Sequence, residues 1–242
     1  MKIWTKLTIA LLILICYASS LIQATPSTII WIPSVDLQAY KSFHLHIDNY
    51  AYDFEKGKTF SGAAFPTDLG LTVGVLPFSS VQAEIGVDYM TPHISPFLLN
   101  AKVGFPEGAL MDGFPAMAIG EFAFGFLRNV TDYNIVYGIT GKTFPVIGRI
   151  EAGYFSGNKK LLVDLAGNAD NSGVLLSWDR QITEISENLW LAIDYQGGKS
   201  GFGAFSYGFA WSFSKNVSVL FARDVFNADL PSTFTIQLDI NI

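Results

Sequence analysis

The last ten residues, Thr233 to Ile242, alternate apolar and polar side chains without a break. Phe234, Ile236, Leu238, Ile240 and Ile242 fall on one side of an extended strand. Thr235, Gln237, Asp239 and Asn241 fall on the other, because successive strand side chains point to opposite faces. A pattern that strict excludes a helix. It also demands two different environments, one on each face.

The same period recurs through most of the chain. Residues 42–53, 69–77, 81–90 and 96–105 read as the first four strands. They are followed by 116–127, 133–143, 146–155 and 172–181, then 187–197, 204–214, 217–226 and 233–242. No amphipathic helix interrupts them, and no internal segment reaches the ~20 apolar residues a membrane helix needs. Twelve strands is the expected count, with ten or fourteen also compatible. Residues 25–41 contain Pro26 and Pro33 within a short apolar run, which argues against an interior strand. This segment is expected on the periplasmic side or partly inside the barrel that the strands would form.

Alternation alone does not say which face points inward. The chain is 50% hydrophobic and 14% aromatic but only 15% charged, against roughly 25% in soluble domains. Tyrosines follow apolar stretches at strand ends, as in Val87-Asp88-Tyr89 and Ile193-Asp194-Tyr195, where an interfacial girdle belongs. A secreted soluble β-protein is the alternative, and it would bury the apolar face instead. Two residues cut across the pattern: Trp190 falls on the polar face and Arg223 on the apolar one.

The strict C-terminal strand and the repeated patterning over residues 42–242 resemble bacterial outer-membrane β-barrels. The resemblance implies an all-β, antiparallel transmembrane barrel in outer-membrane lipid, inserted by the barrel-assembly machinery. It also implies an even strand number, short periplasmic turns and long external loops. Such strands commonly end in Phe, whereas this one ends in Ile242. The link at 106–115 is long for a periplasmic turn.

The N-terminus reads as a secretory signal over residues 1–24. Lys2 and Lys6 precede an apolar stretch and then small residues, with cleavage expected after Ala24 or else after Ser20. The one cysteine, Cys16, would leave with it, so no disulfide framework is expected. Ile15 before it is too bulky for a lipoprotein site. The chain carries a net charge of −6, which argues against nucleic acid as a partner.

With the polar faces inward, the wall would carry Asp48, Glu84, Asp88, Glu121, Glu151, Asp179, Asp194, Asp224 and Asp239. Against them stand Lys102, Lys142 and Arg149, and the histidines His44 and His46 also line the wall. An acidic lumen favours cations and opposes anions. Twelve strands lie between the small barrels filled by side chains and the large ones that leave a channel. An open pore and a plugged scaffold are both compatible.

Two local patterns bear on chemistry. His44, His46 and Asp48 share one face of a strand and could hold a metal, although no fourth ligand is evident and polar wall residues are the plain reading. His93 and Ser95 have a spacing similar to the motif of outer-membrane phospholipases. That family's neighbouring asparagine is missing, and Pro92 and Pro96 flank the pair, so a turn is the plain reading. Gly138 to Thr143 ends like a phosphate-binding loop but lacks the first glycine and the following helix. No cofactor and no enzymatic activity are expected. The leading expectation is a porin-like channel or transporter passing small neutral or cationic solutes by passive diffusion. A closed structural or adhesion barrel is the second, and an outer-membrane lipid hydrolase the third.

Overall fold

The structure is a computed structural model that describes residues 27–53 and 62–242; the expected leader at 1–24 and part of the first long connection lie outside them. Twelve strands form: β1 (Phe43–Tyr52), β2 (Thr67–Gly74), β3 (Gln82–Thr91), β4 (Phe97–Phe105), β5 (Ala116–Phe124) and β6 (Ile135–Phe144). The remainder are β7 (Gly148–Ser156), β8 (Ser172–Gln181), β9 (Leu189–Gln196), β10 (Ala204–Ser214), β11 (Val217–Phe226) and β12 (Thr233–Asn241). Each pairs antiparallel with its neighbours in sequence, and β12 returns to β1 to close the barrel. The seam runs from His44 opposite Asn241 to Tyr52 opposite Thr233. Phe43 and Ile242 extend it by exchanging two backbone hydrogen bonds of 2.8 Å. Closure leaves no open sheet edge.

The connections at residues 75–81, 106–115, 145–147, 182–188 and 215–216 gather at one end, called here the turn end. Those at 92–96, 125–134, 157–171, 197–203 and 227–232 gather at the other, the loop end, together with the described parts of the connection between β1 and β2, 53 and 62–66. The long link at 106–115 sits at the turn end. It is a folded loop in which Gly108 and Gly113 have positive φ and Gly108 N–H bonds the Phe114 carbonyl at 2.9 Å.

Outside, the strands present apolar side chains to the surroundings, among them Ile47, Leu71, Ile85, Ile119, Val136, Leu176 and Ile236. Phe209 and Phe221, directly opposed on β10 and β11, stack at 5.5 Å. Arg223 also faces outward, at the loop end of β11. It has partners there: an ion pair with Asp53 and a 3.4 Å hydrogen bond to Tyr207 Oη.

Two charged residues stand on the opposite face from the one expected. Glu121 follows Met117 and Ile119 on the outer face of β5 by ordinary alternation. The pairing with β4 slips only beyond it, between Ala101–Glu121 and Leu99–Phe124, so that the outward Phe124 does not set its parity. Ala123 takes a positive φ of 53° beside that slip. One inserted residue reverses the inward set beyond it, which returns Phe124 to the outer face opposite Leu99, while Phe122, in step with Ala116 and Ala118, turns inward against Tyr137 and Phe202. Lys142 lies on the outer face of β6 because Ile135, Tyr137 and Ile139 are the buried, inward residues there.

Those apolar inward residues have a reason. Residues 27–38 run inside the barrel. Ser27 to Ser34 form a hairpin, joined by Ile29 N–H to the Ile32 carbonyl at 2.9 Å and Ser34 N–H to the Ser27 carbonyl at 3.1 Å. Ile29 and Ile32 are 0% exposed and pack with Val35 against Ala118, Ile139, Phe155, Leu175 and Leu220. Each such isoleucine contributes roughly 1.5–3 kcal/mol by leaving water. The chain leaves the interior at the turn end, where Lys41 N–H bonds the Gly74 carbonyl at 2.9 Å. Gly74 is required at that exit, since a Cβ on it would lie 1.9 Å from the Ala39 carbonyl oxygen.

Candidate functional site

The interior wall is acidic, and the hairpin uses part of that acidity. At its tip, the backbone N–H groups of Ile30, Trp31 and Ile32 all converge on Asp194 Oδ2, at 2.8, 2.8 and 3.3 Å. Successive amides wrapped around a carboxylate form an anion-binding nest. Asp194 itself is 1% exposed. Trp31 Nε1 donates to the Phe202 carbonyl at 2.8 Å, and Gln237 Nε2 donates to the Ile30 carbonyl at 3.0 Å.

Lower in the barrel, Glu84 accepts from Gln38 N–H at 2.7 Å and Ser27 Oγ at 3.1 Å. Lys102 lies 3.2 Å from Glu84 and donates to the carbonyls of Ser27 and Ser34, both at 3.2 Å. It therefore clamps both legs of the hairpin at once. Arg149 pairs with Asp36 from the hairpin segment and with Glu151 and Asp179 on the wall, at 3.0 and 2.8 Å for the latter two. Val35 N–H reaches Glu151 at 3.3 Å, and Trp190 Nε1 satisfies Asp179 at 3.0 Å. The inward Trp190 thus has a partner for its polar edge.

Loop-end residues cover the hairpin tip. Leu162 from the 157–171 connection is fully buried in the same apolar cluster, joined by Tyr133 and Phe202 from two other connections. Tyr133 and Phe202 meet at 5.2 Å. Trp31 completes the cover in edge contact with Tyr50 and Phe226, at 5.5 and 5.7 Å.

The wall from β1 to β4 is different. There His46, Asp48, Asp68, Asp88 and Asn100 project inward and stay partly accessible. Asp68 belongs to this group although it reads from sequence as the end of a loop; β2 begins one residue earlier, at Thr67. His44 is turned away from the group, bonded to Asn241 at 3.0 Å and lying 3.4 Å from Asp239. His44, His46 and Asp48 are consequently not one ligand set, and His46 instead approaches Asp68 and Asp88. Asp224 accepts from Thr233 Oγ1 at 2.9 Å, in the wall near the loop end. Of the fourteen wall positions named from sequence, His44, His46, Asp48, Glu84, Asp88, Lys102, Arg149, Glu151, Asp179, Asp194, Asp224 and Asp239 point inward, and Glu121 and Lys142 do not.

His93 and Ser95 lie in the exposed connection between β3 and β4. His93 Nδ1 is engaged by the backbone of Ser95, 3.0 Å from its carbonyl oxygen and 3.3 Å from its N–H. An imidazole held that way is not positioned to activate the Ser95 hydroxyl, which a nucleophile requires.

A closed antiparallel barrel with an apolar outer belt and a polar interior is the architecture of an outer-membrane β-barrel. Its fold is that of porin structures. A KdgM porin superposes with a TM-score of 0.52 at 7% identity, covering 81% of this chain and 98% of the porin. A NanC porin gives 0.47 at 11% identity, with 82% and 98% covered. An outer-membrane channel from Pseudomonas putida F1 gives 0.45 at 9% identity, with 85% and 97% covered. No protein-family model matches the chain, and no curated protein matches it in sequence.

Proposed function

We propose that the protein is an outer-membrane, porin-like channel for small neutral or cationic solutes, closed in this conformation by its own N-terminal hairpin. The observation that carries the reading is the division of the interior. The hairpin packs its apolar side against β5 to β11 and is clamped by Glu84 on β3 and Lys102 on β4, while His46, Asp48, Asp68, Asp88 and Asn100 on β1 to β4 keep a polar, partly accessible, carboxylate-rich patch. The porin fold supports a channel. Negative charge along an aqueous path selects cations without covalent chemistry. Conduction on this reading is passive and follows displacement of the hairpin.

A disulfide lock tests it. A Cβ at Gly141 would lie 3.0 and 3.3 Å from the Val35 Cγ atoms, close enough for a Val35→Cys/Gly141→Cys pair to bridge. In a planar bilayer the oxidised variant is expected to be silent, and reduction is expected to restore cation-preferring conductance. Equal conductance in both redox forms would show that the hairpin is not the gate.

The covered loop end favours a second reading, a closed structural or adhesion barrel whose outer connections bind a partner. That reading gains if neither the reduced variant nor the unmodified chain conducts at any voltage.

A further inference from the structure

We propose that His46, Asp68 and Asp88 form a site for one divalent first-row transition-metal ion on the inner wall of β1 to β3. The register builds it. His46 on β1 is opposite Gly70 on β2, and Gly70 is opposite Asp88 on β3, so the imidazole and the carboxylate flank a glycine in one row. A Cβ on Gly70 would lie 1.9 Å from His46 Cε1. The glycine therefore lets the ring lie across β2 toward both acids. Asp68 enters from the next inward position along β2.

His46 Nε2 stands 3.8 Å from Asp68 Oδ2 and 3.9 Å from Asp88 Oδ1. One donor atom from each residue fits within a span of 4.8 Å. Donors shared by one ion at metal–ligand distances of about 2.0–2.2 Å lie within roughly 4.4 Å of each other. A small inward movement of side chains completes the set. Asn100 Nδ2 already donates to both oxygens of Asp88, at 3.0 and 3.1 Å, and orients that carboxylate as an outer-shell partner does.

Charge and satisfaction point the same way. The cations of the interior wall are engaged elsewhere, Lys102 with Glu84 and the hairpin carbonyls, Arg149 with Asp36, Glu151 and Asp179. Asp239, opposite His46 on β12, is 1% exposed, and its Oδ2 has no hydrogen-bond partner; Asp68 Oδ1 and Asp48 Oδ1 are likewise shut from solvent without one. Carboxylates gathered without a cation inside a barrel are costly, and a dication offsets that cost. The imidazole favours a transition metal over calcium or magnesium, which prefer all-oxygen sets. The three side chains are 14–21% exposed, so an aqueous ion has access.

The site is separable from the channel reading, because binding is measured on the full refolded chain whether or not it conducts. Zinc titrated calorimetrically into the detergent-refolded barrel is expected to bind at one equivalent, and cobalt is expected to give visible ligand-field absorption. His46→Ala and Asp88→Asn should each weaken zinc binding at least tenfold, while Asp164→Asn, in the 157–171 connection, should leave it unchanged. The gel shift on boiling verifies that each variant is a closed barrel. Absence of binding by the unmodified closed barrel, or binding that survives both substitutions in closed barrels, would overturn the proposal.

Discussion

The backbone N–H of Trp31 meets Asp194 Oδ2 at 2.8 Å across 163 positions of sequence. The amides on either side of Trp31 use the same oxygen, so a single carboxylate fixes the hairpin tip to β9. Asp194→Ala strands three amides in the interior. The expected loss is about 1–3 kcal/mol, the usual penalty for an unsatisfied buried group. It should appear as faster protease cleavage within residues 27–41 and as more frequent channel opening, with the heat-induced gel shift retained. Unchanged cleavage would mean that apolar packing alone seats the tip.

Lys102 holds Glu84 and both hairpin legs. Removing it as Lys102→Met leaves Glu84, 3% exposed, as an unpaired interior charge. A destabilisation of about 3–5 kcal/mol is expected, read from urea unfolding in micelles. Adding Glu84→Gln should recover a large part of it. A double variant no better than the single one would place the loss in the hairpin carbonyls rather than in Glu84.

Glu121 stands on the apolar outer face of β5, in a shallow depression with Leu99 and Phe124. A lipid-facing acid costs less than the about 2–4 kcal/mol of a central Lys or Arg. Glu121→Leu is therefore expected to raise the unfolding midpoint by a modest amount. A decrease would indicate that the carboxylate has a favourable partner outside the chain.

At the turn end, burial works against ionisation of Glu107, but hydrogen bonds from Lys142 and from the Thr143 side chain and N–H hold its pKa below the ordinary 4.5. A depressed carboxylate contributes stability that is fully present above its unfolded pKa and lost as pH falls through its folded one. Glu107→Gln should thus be less stable than the parent at neutral pH, with the difference vanishing in acid below about pH 4.5. A difference independent of pH would assign the effect to packing of the 106–115 connection.

Period-two alternation made the barrel legible, because each of the twelve strands borders two unlike environments. The face assignments held wherever the inner wall is polar, as on β1, β3, β10 and β12. They failed for Glu121 and Lys142, for two distinct physical reasons. A register slip beside Ala123 reverses parity in a way that no alternation reveals. On β6 the inward side chains are apolar because they contact the hairpin, so polarity no longer marks the lumen. The hairpin explains the second failure but is itself nearly invisible in sequence. Pro33 argues against a strand, yet nothing local to Ile29 or Ile32 says that Leu175 and Leu220 will receive them. Asp68 was hidden because β2 begins at Thr67, two residues before the strand expected at 69–77.

The hairpin stands first in the described chain, yet the groups that hydrogen-bond its tip come late. Asp194 and Gln237 are synthesised long after Ile30 and Trp31, and the β1–β12 seam needs the final residues. The hydrogen-bonding anchors of the hairpin tip are complete only once nearly the whole wall exists, although Tyr50 on β1 meets Trp31 from the early part of the chain. The Asp194 and Gln237 anchors can therefore seat the tip only after β9 and β12 have joined the wall, which makes the stopper the part of the molecule most dependent on the rest.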